Sequence, residues 1–356
     1  MHIVLSGYYG FDNVGDEAIL FSIIQAIRNT REDVKITVLS NNPEATRQTY
    51  GVEAVNRWKL KEISDVLKFS DGLISGGGSL LQDETGWKSI PYYTGVMQIA
   101  KRHNTPVFIY AQGMGPINKW FSKWLVKLTL NKAADITVRD TDSQELLQKI
   151  GVRKTISIVP DPVMALDGTS FTSNWLEEQA LGDFVAVSVR DWPTEQPYKQ
   201  RIAECLDKVV RAGNKVVFVP MHGEHDAATS REVAGMMMEN STVSPADASI
   251  EEKIAIIGES RLLLGMRLHS LIFSAVTHTP FVALSYDPKI DSFAAICEQP
   301  VSGHVENDNW DGLKLYEQVS DSLANEIIQQ EMLQKKAEEY RKQALETAVM
   351  AFEAFK

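Results

Sequence analysis

Short runs of β-branched and other apolar residues alternate with segments of helical periodicity along most of the chain. In the first half they predict strands at 2–6, 34–40, 71–75, 106–112, 135–139 and 156–159, and helices near 16–29, 59–69, 90–103, 119–133 and 141–150. Apolar strands separated by helices are typical of a parallel sheet that is covered on both faces. We therefore expect a Rossmann-like domain over residues 1–165.

The same alternation restarts after a break. Residues 160–183 are rich in proline, glycine and polar side chains and predict a linker. Further strands are predicted at 184–189, 215–219, 261–264 and 281–285, with helices near 197–212, 226–239, 250–258 and 269–277. The expected fold class is therefore α/β, with two Rossmann-like, doubly wound domains facing a cleft in a GT-B-like arrangement. The second domain covers 180–310, and C-terminal helices follow over 311–356.

The length and the charge of the chain narrow the possible functions. A chain of 356 residues is long enough for two domains. Lys and Arg number 36 against 47 Asp and Glu, which gives a formal net charge of −11. Such a surface repels nucleic-acid phosphates, and no long basic run offsets it, so we expect no nucleic-acid partner. An anionic substrate would have to be held by a few well-placed arginines.

The compartment is predicted from the cysteines and from the apolar segments. Cys205 and Cys297 fall in helical segments without metal-ligand neighbours, which is typical of buried thiols in a reducing compartment. The chain opens on a strand rather than on a signal peptide, and no stretch approaches the roughly 18 apolar residues of a membrane span. The sequence therefore predicts a cytoplasmic protein.

Ligands of doubly wound sheets bind outside the carboxyl ends of the strands, so polar residues that directly follow a predicted strand are candidates. The segment from Gly7 to Glu17 follows the first strand and opens a helix. Asp16 is a candidate for orienting or deprotonating a sugar hydroxyl, and Asn13 for hydrogen-bonding the same sugar. The alternative for Asp16 is a helix N-cap or a first-turn acid.

Three glycines, Gly76, Gly77 and Gly78, follow the strand predicted at 71–75. Backbone N–H groups exposed by such a loop can cradle an anion, which makes Gly77 and Gly78 candidates for substrate binding. The alternative is a tight turn with close packing of a helix on the sheet. No Gly-Lys-Ser/Thr follows, so a nucleoside triphosphate is not expected here.

Arg139 ends the strand predicted at 135–139. An arginine in this position can bind a carboxylate or a phosphate with two parallel hydrogen bonds. The alternative is a surface arginine that pairs with Asp140 or Asp142.

A second arginine follows the strand predicted at 261–264. Arg267, the amides of Leu268 and His269, and a helix N-terminus together form a concentrated positive site. A bound anion of high charge would favour protonated His269, which is the form that a general acid needs. The alternative is a capping or packed histidine.

Two other strand ends carry charged residues. His222, Glu224, His225 and Asp226 lie within five residues of one another, but metal ligands usually come from several elements, so we predict a polar loop and no metal. Lys289 follows the strand at 281–285 and is either an anion contact or a solvated lysine.

Taken together, these motifs resemble the polysaccharide pyruvyl transferase family. The resemblance spans about residues 2–290, and its specificity comes from the order and spacing of the motifs. They are Gly7–Asp16, Gly76–Ser79, Gln112–Pro116, Val138–Asp140 and Met266–Ser270. The sequence is most similar to the bacterial cell-surface type, which modifies a wall polymer that anchors surface-layer (S-layer) proteins.

The resemblance implies phosphoenolpyruvate as the donor, no further cofactor, and a cyclic pyruvate ketal on a sugar as the product. By the same resemblance, Arg139 and Arg267 bind the phosphate and the carboxylate of the donor, Leu268 contributes its backbone, and His269 is the acid. Asp16 is our candidate for the base. The acceptor implied is a lipid-linked saccharide that contains N-acetylmannosamine.

A lipid-linked acceptor requires access to a membrane surface. The helix at 119–128 carries Trp120, Phe121, Trp124, Leu125 and Leu128 on one side and Lys119, Lys123 and Lys127 on another. This pattern predicts either a peripheral contact with the inner face of the membrane or a covering helix with a solvated lysine edge. Two other functions remain open, namely a GT-B glycosyltransferase that uses a nucleotide sugar and a non-catalytic module that binds sugar phosphates.

Overall fold

The structure is a computed structural model that describes residues 1–84, 86 and 88–356. The described chain divides into two compact units. Unit 1 comprises residues 1–166 together with 340–356, and unit 2 comprises residues 167–339. The chain therefore passes from unit 1 to unit 2 inside the segment predicted as a linker. It returns to unit 1 within the C-terminal tail.

Unit 1 is built on a parallel sheet. Its strands are β1 (His2–Ser6), β2 (Lys35–Ser40), β3 (Glu53–Asn56), β4 (Gly72–Ser75), β5 (Gly78–Leu81), β6 (Val107–Met114), β7 (Asp135–Val138) and β8 (Ser157–Ile158). Their order is β3-β2-β1-β4-β6-β7-β8, with β5 paired to β6. Successive side chains of β1 (Ile3, Val4 and Leu5) are fully buried, so both faces of the sheet are covered. Burying each such side chain contributes roughly 1.5–3 kcal/mol.

Several helices of unit 1 begin at a residue whose side chain caps them. They are α1 (Val14–Thr30), α2 (Pro43–Tyr50), α3 (Leu60–Lys68), α4 (Ser89–Arg102), α5 (Trp120–Leu130) and α6 (Thr141–Lys149). The side chain of Asn42 caps α2, which has proline at its first position. The Asp140 carboxylate caps α6 by accepting a hydrogen bond from the Ser143 N–H (2.7 Å). A cap of this kind stabilises a helix by about 1 kcal/mol.

Unit 2 repeats the design with a six-stranded sheet. Its strands are β9 (Phe184–Ser188), β10 (Lys215–Phe218), β11 (Thr242–Val243), β12 (Leu262–Gly265), β13 (Phe281–Ser285) and β14 (Val301–His304). Its helices are α7 (Asn174–Gln179), α8 (Tyr198–Arg211), α9 (Gly223–Met236), α10 (Ile250–Gly258), α11 (Leu268–Val276), α12 (Pro288–Ile296) and α13 (Gly312–Ala324). The strands are parallel, in the order β11-β10-β9-β12-β13-β14. The predicted α/β class with two doubly wound sheets is confirmed.

Each sheet has one point at which the strand order reverses. In unit 1 the chain builds outward from β1 to β3 on one side and from β4 to β8 on the other. In unit 2 it builds from β9 to β11 on one side and from β12 to β14 on the other. The connections after the two central strands separate there and leave a crevice at the carboxyl ends. A ligand site is therefore expected at the loops after β1 and β4 in unit 1, and at the loops after β9 and β12 in unit 2.

The last helix, α14 (Glu326–Ala354), begins in unit 2 and ends in unit 1. Its buried apolar residues form one stripe, at Leu333, Ala337, Ala344, Ala348 and Ala351. Beyond its end, the Phe355 ring packs edge-on to Phe108 at 6.5 Å between ring centroids. A Cβ atom on Gly72 of β4 would lie 2.5 Å from the Phe355 ring, so only glycine fits at that point of the strand.

One edge of the unit 1 sheet and both edges of the unit 2 sheet escaped prediction from the sequence, whereas the other edge of unit 1, β8, was predicted at 156–159. The unpredicted elements include β3, β11 and β14, whose residues are mostly half-exposed, and the polar helix α2. An edge strand is not buried on both faces, so it lacks the continuous apolar run that identified the central strands.

Over the described residues, no helix combines the length and the apolar character needed to cross a bilayer.

Candidate functional site

The crevice of unit 1 is bounded by the loop between β1 and α1. Asn13 caps α1, since its side-chain oxygen accepts a hydrogen bond from the Gly15 N–H (3.1 Å). Asp16 lies in the first turn of the helix, where a negative charge interacts favourably with the helix dipole. Asn13 is therefore the N-cap of α1, and Asp16 is a first-turn acid. The Asp16 carboxylate is left to contact groups outside the helix.

The glycines after β4 lie against this loop and this helix. Gly78 has a left-handed backbone (φ 83°), and a Cβ atom on it would lie 2.8 Å from Asp16 Oδ1. A Cβ atom on Gly77 would lie 3.0 Å from the Ile19 side chain. The close packing considered as the alternative is thus present. An anion cradle at Gly77 and Gly78 stays a prediction, and an ionised Asp16 would oppose it at Gly78.

Arg139 directly follows β7 and is largely buried, with 12% of its side chain exposed. Nη1 lies 3.3 Å from Asp161 Oδ2, and Nη2 donates to the Ser79 hydroxyl at 3.2 Å. The guanidinium covers Gly113 of β6, where a Cβ atom would lie 2.8 Å away. The surface pairing that we considered is minor, because Asp140 is 3.7 Å away and caps α6. Arg139 is held in place at the carboxyl end of the sheet.

The surroundings of Asp16 raise its pKa to about 7. Removal from water is the largest cause; the neighbouring Glu17 carboxylate raises the pKa further, whereas Arg139 lowers it. Glu17 is fixed by hydrogen bonds from the Gly10 N–H and the Tyr50 hydroxyl, both 2.7 Å long. A carboxyl group with a pKa near neutrality can both accept and release a proton at physiological pH, as acid–base chemistry requires.

Arg267 lies at the switch point of unit 2, as the N-cap residue of α11 directly after β12. Its guanidinium binds Asp226 with two bonds: Nε donates to Oδ2 at 2.9 Å, and Nη2 donates to Oδ1. Asp226 is fully buried on α9 and also accepts a hydrogen bond from the Met221 N–H (3.3 Å). The prediction of a polar loop at His222–Asp226 is wrong for Asp226, which orients Arg267 and offsets part of its charge.

Leu268 and His269 are the first two residues of α11, and His269 is half-buried. Amides in this first turn lack helical acceptors and face the positive end of the helix dipole. Lys289 follows the neighbouring strand β13, and its ammonium pairs with Asp287 at 2.9 Å. Arg267, Leu268 and His269 thus lie together at the switch point, and Lys289 lies one strand further along.

The candidates group into two sets. Unit 1 contains Asn13, Asp16, Gly77, Gly78 and Arg139; unit 2 contains Arg267, Leu268, His269 and Lys289. Within the described part of the chain, no group of three or more His, Cys, Asp or Glu side chains is arranged to hold a metal ion.

Sequence patterning missed a third arginine, Arg190, two residues beyond β9 on the other side of the same switch point. Its guanidinium lies 4.5 Å from the ring centroid of Tyr286 and 5.2 Å from that of Trp192, and Nη1 donates to the Tyr286 hydroxyl at 2.8 Å. Arg190 and Arg267 both lower the pKa of His222, after burial, which is the largest cause. The two guanidinium groups are therefore in electrostatic reach of one imidazole. The sequence did contain a signal for Arg190, because it follows a strand rich in β-branched residues. The same pattern had identified Arg139 as a candidate.

Comparison with known proteins assigns the family. The family model described as polysaccharide pyruvyl transferase matches residues 13–288, which is well over half of the chain. The chain belongs to the polysaccharide pyruvyl transferase family. The matched range includes the loops after β4, β9 and β12, and it begins at Asn13, the last residue of the loop after β1. Membership makes the protein a transferase concerned with polysaccharide pyruvylation in general.

The chain is also similar to a curated relative and to solved structures. The amylovoran biosynthesis protein AmsJ of Erwinia amylovora is 21% identical, over 94% of this chain and 98% of the relative. The UDP-GlcNAc 2-epimerase of Neisseria meningitidis, solved with UDP-GlcNAc, has a TM-score of 0.66 at 10% identity and covers 99% of each chain. A ugt transferase of Siraitia grosvenorii, solved with UDP, has a TM-score of 0.60 at 13% identity and covers 100% of each chain. At these identities the structures show the shared GT-B-like fold alone.

Proposed function

We propose that this transferase moves the pyruvyl group of phosphoenolpyruvate to a sugar of a lipid-linked cell wall polysaccharide precursor. The acceptor sugar in the proposal is N-acetylmannosamine, and the products are a cyclic pyruvate ketal and phosphate. One observation carries the proposal. In a chain of the pyruvyl transferase family, Arg267, Leu268 and His269 start a helix at a topological switch point, an arrangement that suits an anion beside a proton donor.

The proposed reaction needs one proton donor and one proton acceptor. His269 gives its proton to the methylene carbon of phosphoenolpyruvate, which becomes a methyl group and leaves an oxocarbenium-like centre at the neighbouring carbon. A sugar hydroxyl attacks that carbon and loses its proton to Asp16. The bond from this carbon to the phosphate oxygen then breaks, and phosphate leaves. A second hydroxyl of the same sugar closes the ketal, and its proton goes to the departing phosphate.

The charge balance of unit 2 gives Arg190 a part in this proposal. Phosphoenolpyruvate carries close to three negative charges, and the Asp226 carboxylate already offsets part of the charge of Arg267. The helix N-terminus adds about half a positive charge. A second guanidinium, that of Arg190 on the adjacent strand, supplies a further full charge. We therefore expect Arg190 to contact the donor in addition to Arg267, with Arg139 and Lys289 as the other proposed anion contacts.

Phosphate release tests the proposal directly. The protein is incubated with phosphoenolpyruvate and a short-chain lipid-linked N-acetylmannosaminyl acceptor, with acceptor-free and donor-free reactions as controls. Phosphate release and an acceptor that is heavier by one pyruvyl group, both dependent on both substrates, support the proposal. No release and no mass gain would contradict it. Transfer of a sugar from a UDP-sugar in the same assay would favour the glycosyltransferase alternative instead.

The pKa of Asp16 leads to a prediction about pH. A base acts in its deprotonated form, so kcat/KM should rise with pH through about 7 and level off above it. The Glu17 charge raises the pKa of Asp16, so Glu17→Gln should move this acidic limb to lower pH, while its one side-chain oxygen still accepts one of the two hydrogen bonds. Glu44→Gln removes an exposed carboxylate of the same unit and should leave the limb in place. An unmoved limb in Glu17→Gln would remove Asp16 from the role of base.

A peripheral membrane contact of α5 is the second part of the proposal. Four of its large apolar side chains are exposed, by 79% for Trp120, 47% for Phe121, 51% for Trp124 and 38% for Leu128. Leu125, which was predicted on the same face, is half-buried and packs against the core. Lys119, Lys123 and Lys127 flank this face and are also exposed. Aromatic rings beside lysines favour the interface of a bilayer with anionic headgroups, in a chain whose net charge of −11 would otherwise be repelled.

Vesicle binding tests this contact. We expect the protein to sediment with vesicles that contain phosphatidylglycerol and far less with pure phosphatidylcholine vesicles. The double variant Trp120→Ala/Trp124→Ala should weaken binding to vesicles by about tenfold or more, because it removes two aromatic side chains that the bilayer would bury. Phe69→Ala removes a phenylalanine of the same unit that is 75% exposed on another helix end, and should bind as the parent does. Equal binding by the double variant would exclude α5 as the membrane face.

A further inference from the structure

We propose that a group of aromatic side chains around the buried Arg57 is the subsite for a sugar ring of the acceptor. This aromatic wall consists of Tyr8, Phe11, Trp58 and Tyr92. It lies at the carboxyl ends of β1 and β3 and at the start of α4, on the edge of the unit 1 sheet where ligands of doubly wound folds bind. The inference rests on the proposed pyruvyl transfer, since it assigns the acceptor side of that reaction.

Arg57 lies beneath the wall and holds its rings in place. The residue is only 3% exposed, and its guanidinium carbon is 4.4 Å from the ring centroid of Tyr92, 5.1 Å from that of Phe11 and 5.2 Å from that of Trp58. Nη1 donates to the Gly7 carbonyl at 2.8 Å, and Nη2 to the Tyr93 hydroxyl at 3.2 Å. Arg57 forms no ion pair among the described residues, so the ring faces are its main electrostatic partners. A buried cation is costly to keep away from water, so the contacts with the rings help to stabilise Arg57 in this position.

The outer faces of the wall are open to solvent. Trp58 is 60% exposed and Tyr8 is 41% exposed. Tyr8 is stacked on Phe11 with centroids 4.1 Å apart and planes 7° from parallel, and Trp58 lies 5.4 Å from Tyr92. The Trp58 indole N–H donates to Asn41 Oδ1 at 3.0 Å, which fixes the plane of the ring. Exposed aromatic rings that are held rigidly expose apolar area at little entropic cost of binding.

This combination of flat rings and nearby amides suits a pyranose. One face of a pyranose ring exposes mainly C–H groups, which leave water when they stack on an aromatic face. The hydroxyls at the rim of the sugar keep their hydrogen bonds with water or with polar groups such as the Asn41 side chain. The wall has no exposed cation of its own, since its arginine is buried. A neutral sugar ring is therefore the chemical class that it fits, and binding should depend little on salt.

The wall is also continuous with the candidate base. Phe11 is separated by one residue from Asn13, which caps α1, and Asp16 lies in the first turn of that helix. Burial, Glu17 and Asp161 raise the pKa of Asp16, whereas Arg139 and, more weakly, Arg57 lower it. Arg57 and Asp16 are therefore within electrostatic reach of each other. We therefore expect a sugar stacked on the wall to extend its ring edge toward the carboxylate that would take a hydroxyl proton.

Kinetics with a water-soluble acceptor test the subsite without the membrane. In Trp58→Ala and in Tyr8→Ala, we expect the acceptor KM to rise by about tenfold or more, while the phosphoenolpyruvate KM stays within about twofold. Phe69→Ala is the matched control, because it removes an aromatic ring of the same unit that is 75% exposed and lies outside the wall, and it should keep both KM values. Unchanged acceptor KM in both wall variants would overturn the subsite and leave pyruvyl transfer standing.

Direct binding separates the two proposals. Saturation-transfer NMR without donor compares parent and Trp58→Ala, using methyl glycosides of N-acetylmannosamine, N-acetylglucosamine and galactose as probes. A signal on at least one glycoside that weakens strongly in Trp58→Ala and persists at 0.5 M salt supports the subsite. Equal signals in both proteins, or none in the parent at millimolar glycoside, would overturn it. If a glycoside binds through Trp58 but the parent transfers no pyruvyl group, the proposed donor chemistry fails and the saccharide subsite stands.

Discussion

His269→Ala is expected to lower kcat by about 10²-fold or more, while phosphoenolpyruvate binding stays within about tenfold of the parent. The reason is the proposed division of roles at the start of α11, where Arg267 and the backbone amides would hold the charge and the imidazole would supply the proton. Removing a proton donor affects the step in which the methylene carbon is protonated, whereas it removes little of the binding energy for a trianion. Turnover is measured by phosphate release, and donor affinity by calorimetry.

A second histidine and an isotope provide the controls. His222 follows β10 at the same edge of the same sheet, so His222→Ala tests whether loss of any nearby imidazole has the effect; we expect a much smaller change in kcat. In heavy water the parent should place one deuteron in the methyl group of the ketal, because that proton comes from an exchangeable acid. Full turnover in His269→Ala would remove His269 from the mechanism.

Arg267→Ala is expected to weaken phosphoenolpyruvate binding by about 10²-fold or more, because a charged pair with a buried ligand is worth roughly 2–5 kcal/mol. The same change leaves the Asp226 carboxylate fully buried without its guanidinium. Breaking a buried ion pair from one side destabilises a protein by about 3–5 kcal/mol. The single variant therefore confounds lost affinity with lost stability. Both are measured, by calorimetric titration of donor and by denaturant unfolding.

The double variant Arg267→Ala/Asp226→Ala separates these effects. Removing both partners takes away the unpaired charge, so we expect most of the free energy of unfolding to return, while donor binding stays lost. Arg267→Lys keeps one positive charge but cannot form both bonds to Asp226, and should fall between the parent and Arg267→Ala in donor affinity. Recovery of donor affinity in the double variant would mean that Arg267 supports the fold and does not bind the anion.

The central strands of both sheets could be predicted because a strand that is buried on both faces consists of consecutive apolar residues. The same rule led to the candidate residues, since a polar residue directly after a central strand lies at the carboxyl edge whatever its partners are. Asp16 and Arg267 were found in this way. Edge strands such as β3 could not be found by this rule, because they contain no continuous run of apolar residues. The rule also gave no weight to Arg57, which follows that edge strand.

Partners that are far apart in sequence were beyond prediction. Asp226 and Arg267 are separated by 41 positions, and nothing local marks the carboxylate as buried. Asp226 belonged to a run of polar residues that is typical of an exposed loop, although it lies on the inner side of α9. The crowding of Arg139 over Gly113 likewise depends on the register of β6 and β7. Such pairings arise from tertiary packing, which a local pattern does not encode.

The path of α14 has a consequence for biosynthesis. Residues 340–356 complete unit 1, and Phe355 fills the space above Gly72 in the middle of its sheet. A chain emerging from the ribosome presents residues 1–166 first, but it exposes the apolar surface under Phe355 until residue 355 has been released. Unit 2, whose residues 167–339 are continuous, is available in full before that moment. The unit that is translated first is therefore the last to be finished, and a nascent chain halted within α14 would be a target for chaperones and proteases.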